Sequence, residues 1–369
     1  LTKPPTLMTQ LFRTIGWGFY GAASWTWCIG LFLPTILMQW FGWNGFLLIA
    51  IPNVIGATLM GLLLGSPSAS RRFCSRHPQA IKWFVTITIA FHLVFLSMMA
   101  TWIFPAAMRS PWDWVLFPLT ALVLGQLLSL APRSWWPLLG TIALACGGVV
   151  VAMNCENAHP AGWSGTRPPI DLLWLAPIFS IGFLLCPWLD APFHRVRQET
   201  EGPLGFLVLG IGFLCMLLVT ASYWWLGEGL GTTLVLAWIF GQATFTIAAN
   251  IRELRDLLPS LKTPADFPAE AIAIAVVCIA GLFFVETWAE GKDLYLRWLA
   301  VYGLFFPAVL LAWCLRRSPR ITIDGVARLI ILLAVTSVLG DIGLINGPAW
   351  IAAVAAILIL FTPRVVGRT

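Results

Sequence analysis

The sequence predicts an all-α polytopic integral membrane protein with about 12 transmembrane helices, and three observations carry that prediction. The first is composition. Of 369 residues, 59% are hydrophobic and 10% charged, with a mean hydropathy of +0.86, whereas a water-wetted surface needs roughly 25% charged residues. The second is a series of twelve apolar runs close to the ~20 residues that a helix needs to cross a bilayer. The third is an alternation of basic residues between the gaps that separate those runs.

The runs fall at 15–38, 45–65, 81–105, 113–131, 134–153, 171–190, 203–225, 230–250, 269–288, 294–315, 324–342 and 348–362. The first is too long for the core of a signal peptide and reads as a membrane helix. The last is the shortest and could lie tilted or in the interface. Trp residues, 21 in all, gather at run ends, as at Trp40, Trp43, Trp112, Trp114, Trp135, Trp136, Trp224 and Trp225. That is where an indole ring meets both acyl chains and headgroups. The gap 251–268 mixes charges with leucines at helical spacing and predicts a short amphipathic helix on the membrane surface.

With the N-terminus on the cytoplasmic side, 17 of the 22 Lys and Arg fall in cytoplasmic segments and four (Arg109, Arg167, Lys292, Arg297) on the other side. Arg328 lies near the start of run 11. This bias predicts a multi-pass protein of the cell (inner) membrane, the plasma membrane, with both termini cytoplasmic. It also accounts for the pI near 9.0 without a nucleic-acid partner. The eight Cys form no CxxC pair, so neither a zinc knuckle nor a disulfide framework is indicated. No phosphate-binding loop occurs.

Two runs are interrupted. Run 1 reads IGWGFYGAASWTWCIGLFLPTILM, with Gly16, Gly18, Gly21, Ala22, Ala23 and Ser24 followed by Pro34. Small residues permit close helix packing, or they mark a break whose freed carbonyls coordinate a cation. Run 6 holds Pro177, Ser180, Gly182, Pro187 and Pro192, with Asp190 and His194 four apart on one helix face. These two are either a gating and coupling pair or an ordinary solvated helix end beside Arg195 and Arg197. Asn53, His92, Gln126, Glu286 and Asp341 are further polar residues within or at the ends of runs, read as interhelical hydrogen bonds or water-reaching ends.

Interrupted runs 1 and 6, five helices apart and crossing in opposite directions, resemble the LeuT-type fold of the amino acid–polyamine–organocation (APC) superfamily, most closely the sodium:solute symporter branch. The resemblance is architectural and carries no diagnostic motif. It implies a first five-helix repeat at 15–153, a second, inverted repeat at 171–315 and two additional helices at 324–362, all in one transmembrane domain spanning 1–369. It further implies a secondary active transporter, a symporter working by alternating access, with Na+ as its only cofactor and a small-molecule solute and the lipid bilayer as partners. By the same resemblance, sodium sits among Ala22, Ser24, Thr244 and Thr246, and the solute among Ser24, Trp25, Trp27, Ser180 and Gly182. A six-plus-six major-facilitator layout fits less well, because the gap 191–202 is short and GSPSASRRFCSRH lacks that family's acidic–arginine motif.

Two other classes remain open. A membrane-embedded enzyme could use Cys155, Glu156 and His159 of the external loop 154–170. A membrane scaffold or sensor subunit would need no such chemistry.

Overall fold

The computed structural model describes residues 6–102, 112–153, 162–221, 230–257, 269–282, 288–315 and 323–366. Every regular element there is helical: α1 (Leu7–Trp25), α2 (Cys28–Phe41), α3 (Trp43–Leu63), α4 (Pro67–Arg76), α5 (Pro78–Trp102), α6 (Asp113–Ser129), α7 (Trp136–Ala152), α8 (Ile170–Leu185), α9 (Ala191–Glu199), α10 (Leu204–Ala221), α11 (Leu230–Leu257), α12 (Ala269–Leu282), α13 (Trp288–Ala300), α14 (Phe306–Val309), α15 (Ile323–Asp341), α16 (Trp350–Leu360) and α17 (Thr362–Val365). Short π-helical stretches flank α14 on both sides and follow α15. Cys155, Glu156 and His159 of the loop 154–170, together with Glu286 and the segment 258–268, lie outside the described residues.

Among the described residues, eight helical segments are long and apolar enough to cross a membrane, α1 with α2 forms a ninth as a bent pair, and three shorter apolar helices complete the set. Each of the twelve runs read from the sequence has its helix. The outward faces are apolar: Leu116, Leu119, Val123 and Leu127 of α6, and Ile330, Ile331, Val335 and Val338 of α15, are all exposed. Lipid covers such faces at no hydrophobic cost, and the chain is a multi-pass membrane protein.

The chain forms two compact units, one of residues 1–35, 57–160 and 190–284 and the other of residues 36–56, 161–189 and 285–369. In the first, α1 packs against α7 and α10 through its glycines. A Cβ on Gly16 would lie 2.7 Å from Pro137 Cβ, and one on Gly18 would lie 2.7 Å from the Gly205 carbonyl. On the facing helix, a Cβ on Gly140 would lie 2.5 Å from Tyr20 Cα. The small residues of run 1 therefore serve close packing over its first half. In the second unit, α8 packs against α16 and the π-helical stretch Val301–Phe305. There Gly42 takes the left-handed turn (φ +61°) between α2 and α3, and the turn is tied to residues 162–167. Asn44 Nδ2 donates to the Trp163 carbonyl at 2.6 Å, and Arg167 lies 3.8 Å above the Trp40 ring.

Candidate functional site

α1 and α2 would be one helix but for two residues. Thr26 has φ −74° and ψ 67°, and the Trp27 amide reaches the Trp25 carbonyl at 2.7 Å, the geometry of an inverse γ-turn. The helix axes on either side differ by 64°. The sequence placed the interruption on the glycines and Pro34, but α1 is continuous through Gly16–Ser24 and Pro34 lies inside α2. The break falls at Thr26, whose hydroxyl donates to the Ala22 carbonyl at 2.9 Å. A threonine bonded to the preceding turn offers the backbone an alternative to helix.

A break in an apolar span leaves carbonyls on one side and amide groups on the other, and each needs a partner. Two residues from other helices supply them. Gln242 of α11 donates from Nε2 to the Ala23 carbonyl at 2.5 Å and to the Thr26 carbonyl at 3.4 Å. On the other side, the Cys28 amide donates to His92 Nε2 of α5 at 3.3 Å. His92 Nδ1 in turn lies 2.7 Å from the Thr88 carbonyl. The carbonyl must be met by an N–H, so Nδ1 carries the proton and Nε2 accepts, which is the neutral ring. Gln242 and His92 are both buried. His92 was legible as a buried interhelical partner, although not as a cap for α2, and Gln242 was missed. The signal available for Gln242 was a lone amide in the middle of an apolar run, four residues before Thr246.

Ser24, Ala22 and Thr246, singled out from the sequence, have hydrogen bonds of their own at or beside this turn. Ser24 Oγ donates to the Gly21 carbonyl at 2.9 Å. The Ala22 carbonyl accepts from both the amide and the hydroxyl of Thr26. Thr246 Oγ1 donates to the Gln242 carbonyl at 3.1 Å, which places it beside the amide that reaches the break. Thr244 is buried, and its hydroxyl has no partner among the described residues. Trp25 and Trp27 lie tilted against each other, with ring planes at 58° and centres 4.2 Å apart, and Trp25 also meets Phe193 at 4.7 Å.

α8 continues through Pro177, Ser180 and Gly182 to Leu185, tightens into a 3₁₀ turn at Cys186–Leu189, and α9 begins after Asp190. The interruption of run 6 thus comes at Pro187, one of the residues read as interrupting it, and at Asp190. Pro177 removes one backbone donor without breaking the helix. Gly182 is a packing position, since a Cβ there would lie 2.9 Å from the Tyr302 carbonyl, and Ser180 is half-buried. Both belong to the second unit, whereas Ser24, Trp25 and Trp27 belong to the first.

Asp190 and His194 are fully buried, so they are not a solvated helix end. Asp190 caps α9, with Oδ1 accepting from the Phe193 amide at 2.9 Å. The His194 ring stacks on Phe73 at 5.1 Å and its Nδ1 lies 3.0 Å from Ser70 Oγ, both on α4.

Arg195 and its neighbours form a buried ionic network that sequence reasoning missed. Arg195 Nε donates to Glu253 Oε2 at 2.7 Å, and Nη2 donates to Asp256 at 3.3 Å. Tyr20 OH donates to Glu253 Oε1 at 3.0 Å. Glu199 meets Arg195 at 3.7 Å, Arg13 at 2.7 Å and Arg133. Burial works against the Arg195 charge, but Glu253, Tyr20 and Asp256 outweigh it and hold its pKa above the ordinary value. The network ties α9 to α1 and α11. The spacing Arg195–Glu199 and Arg252–Asp256, both i,i+4, was its trace in the sequence.

No family model and no curated protein matches the chain. Among solved structures it is similar to one described as the inward facing conformation of Mhp1, at 14% sequence identity and a TM-score of 0.47, covering 94% of this chain and 90% of that one.

Proposed function

We propose that the chain is a secondary active transporter of the LeuT type that moves a small solute by alternating access. The solute site lies at the Thr26–Trp27 break and the coupling ion is sodium, with both termini cytoplasmic. The observation that carries this reading is the break itself, a turn in the middle of an apolar span whose two sides are met by single polar side chains from α11 and α5. Irregular backbone at membrane depth is tolerated only where protein or a water-filled cavity satisfies it, and unwound carbonyls are where membrane carriers hold ions. Sodium would take the Ala23 and Thr26 carbonyls together with Thr246 Oγ1, and Gln242 would release those carbonyls or turn its own oxygen toward the ion. Asp190 and His194 act as the inner gating pair, and Trp25 and Trp27 stack on the solute.

The test needs no knowledge of the solute. In a cysteine-free background reconstituted into liposomes, Thr26→Cys should react with an impermeant thiol reagent applied from either side. Reaction from one side only, or from neither, would overturn alternating access at this turn. In detergent, sodium at a hundredfold excess over Kd should stabilise the protein by about 2.7 kcal/mol relative to potassium or choline. Thr246→Val should remove that increment. Equal melting in all three salts sinks the sodium assignment alone.

A further inference from the structure

The short helix α4 links the spanning helices α3 and α5, with residues 64–66 before it and His77 after it, so it cannot leave the membrane surface. Ser66 caps it, with Oγ accepting from the Ala69 amide at 3.2 Å, and Pro67 opens its first turn. Ser70, Phe73, Cys74 and His77 recur at the spacing of one helix face. That face is seated on α9: Ser70 Oγ lies 3.0 Å from His194 Nδ1 and accepts from Gln198 Nε2 at 3.1 Å, and Phe73 stacks on His194. The opposite face carries Arg71, Arg72 and Arg76, all exposed. Among the described residues of the first unit, every other Lys and Arg has an acceptor in the protein. Arg13, Arg133, Arg195, Arg252 and Lys82 meet carboxylates, and Arg197 and Arg255 meet backbone carbonyls. The three arginines of α4 have none. Arg72 and Arg76 also stand i,i+4, the spacing at which like charges destabilise a helix.

We propose that the arginine face of α4 binds the phosphate of an anionic lipid headgroup in the leaflet on which it lies. A guanidinium presents paired N–H donors that match phosphate oxygens, and a bound anion offsets the repulsion between Arg72 and Arg76. The flanks of the patch suit a lipid rather than a nucleic acid or an acidic protein. Leu62 and Leu63 at the end of α3 are 52% and 67% exposed, and Trp83, about one and a half turns into α5, is 47% exposed. Exposed apolar side chains meet acyl chains there, and an indole at that depth sits at headgroup level. A zwitterionic lipid carries the same phosphate beside an ammonium that cancels its charge, so the preference is for a net-negative headgroup. Because the other face of α4 rests on α9, a bound headgroup holds α4 against the helix that carries Arg195. The inference rests on the spanning helices and not on transport, so its success or failure leaves the proposed function untouched.

The probes are dioleoylphosphatidylglycerol, dioleoylphosphatidylcholine and inorganic phosphate. Native mass spectrometry of the full chain in mild detergent, titrated with each lipid at low ionic strength, reads the affinity of the first lipid bound. Phosphatidylglycerol should bind roughly a hundredfold more tightly than phosphatidylcholine, about fivefold for each arginine, and equimolar inorganic phosphate should not displace it. Arg71→Gln, Arg72→Gln and Arg76→Gln combined should erase the preference, and Arg72→Gln alone should lower it about fivefold. Arg328→Gln with Arg364→Gln removes two exposed arginines of the second unit and should leave the preference in place. Equal affinity of the two lipids for the wild-type chain would overturn the inference. So would a preference that survives the triple variant, or one that the Arg328 and Arg364 variant reduces as much. Displacement by inorganic phosphate would overturn the assignment to lipid, and capture of a poly-glutamate peptide by a wild-type chain indifferent to the two lipids would mark a protein contact in its place.

Discussion

Glu253 is the residue whose loss the ionic network should feel most. Its side chain is 1% exposed and both of its oxygens are engaged, one by Arg195 Nε at 2.7 Å and the other by Tyr20 OH at 3.0 Å. Glu253→Leu leaves Arg195, 4% exposed, with Asp256 at 3.3 Å and Glu199 at 3.7 Å. Asp256 is a third exposed and Glu199 is shared with Arg13 and Arg133, so neither replaces the lost carboxylate. Orphaning one member of a buried pair costs 3–5 kcal/mol, and the two residual partners put this case at about 3 kcal/mol. Arg195→Met alone leaves Glu253 buried with Tyr20 and with Arg252 at 4.0 Å, and should cost a similar amount. The double variant is the informative one. With Arg195 gone, Glu199 keeps Arg13 and Arg133, Asp256 keeps Arg252 at 3.3 Å, and no buried charge stands alone. What remains is the unmet Tyr20 hydroxyl, worth about 1 kcal/mol. Reversible unfolding by SDS titration in mixed micelles, followed by Trp fluorescence, measures all three. Additive losses, with the double variant about 6 kcal/mol below wild type, would refute the reasoning, because they would mean the pair acts through packing rather than mutual compensation.

Two further outcomes follow from the same structure. Cys74 is buried, and burial pushes its thiol up to about 12, so at pH 8 it should alkylate on the order of 10³-fold more slowly than an exposed thiol; a rate within tenfold of an exposed cysteine contradicts its burial under α9. Gly140→Ala drives a Cβ to 2.5 Å from the Tyr20 backbone and should cost about 1–3 kcal/mol, whereas Gly148→Ala, with nothing within 4 Å, should be neutral or slightly stabilising; equal effects at the two positions would remove the close contact of α1 and α7 from the account.

The membrane helices were legible because length and apolarity are imposed by the bilayer on each segment separately, and every run found its helix. The Pro187 interruption of run 6 was legible too, but the position of the break in run 1 was not. Glycine and proline mark where a helix can be interrupted, but in run 1 the glycines serve α7 and α10 and the turn falls on Thr26 and Trp27, held by residues more than 60 positions away in sequence. Thr246 was legible as a hydroxyl on the helix that reaches the break, whereas Gln242, which makes the contact, showed only as a lone amide four residues before it. Arg195 and Glu253 were illegible for a related reason. A charge run at a helix end reads as solvated, and only tertiary packing decides whether water reaches it.

Proline does mark something in this chain, although not the turn itself. Among the described residues, the path passes from one compact unit to the other at Thr35–Ile36 within α2, at Gly56–Ala57 within α3 and at Leu189–Asp190 between α8 and α9. Pro34 immediately precedes the first of these, Pro52 lies one turn before the second, and Pro187 and Pro192 bracket the third. Pro34 and Pro52 each delete one i→i−4 hydrogen bond inside their helix, whereas Pro187 lies in the 3₁₀ turn that ends α8 and Pro192 in the first turn of α9, where the helix is already interrupted. The Thr26 turn is of the opposite kind, lying wholly inside one unit with both of its sides met by Gln242 and His92. Under the proposed mechanism the two kinds of interruption have separate tasks. The proline-weakened crossings are where the chain can bend, and the braced turn is where it can hold an ion and a solute while the bending takes place.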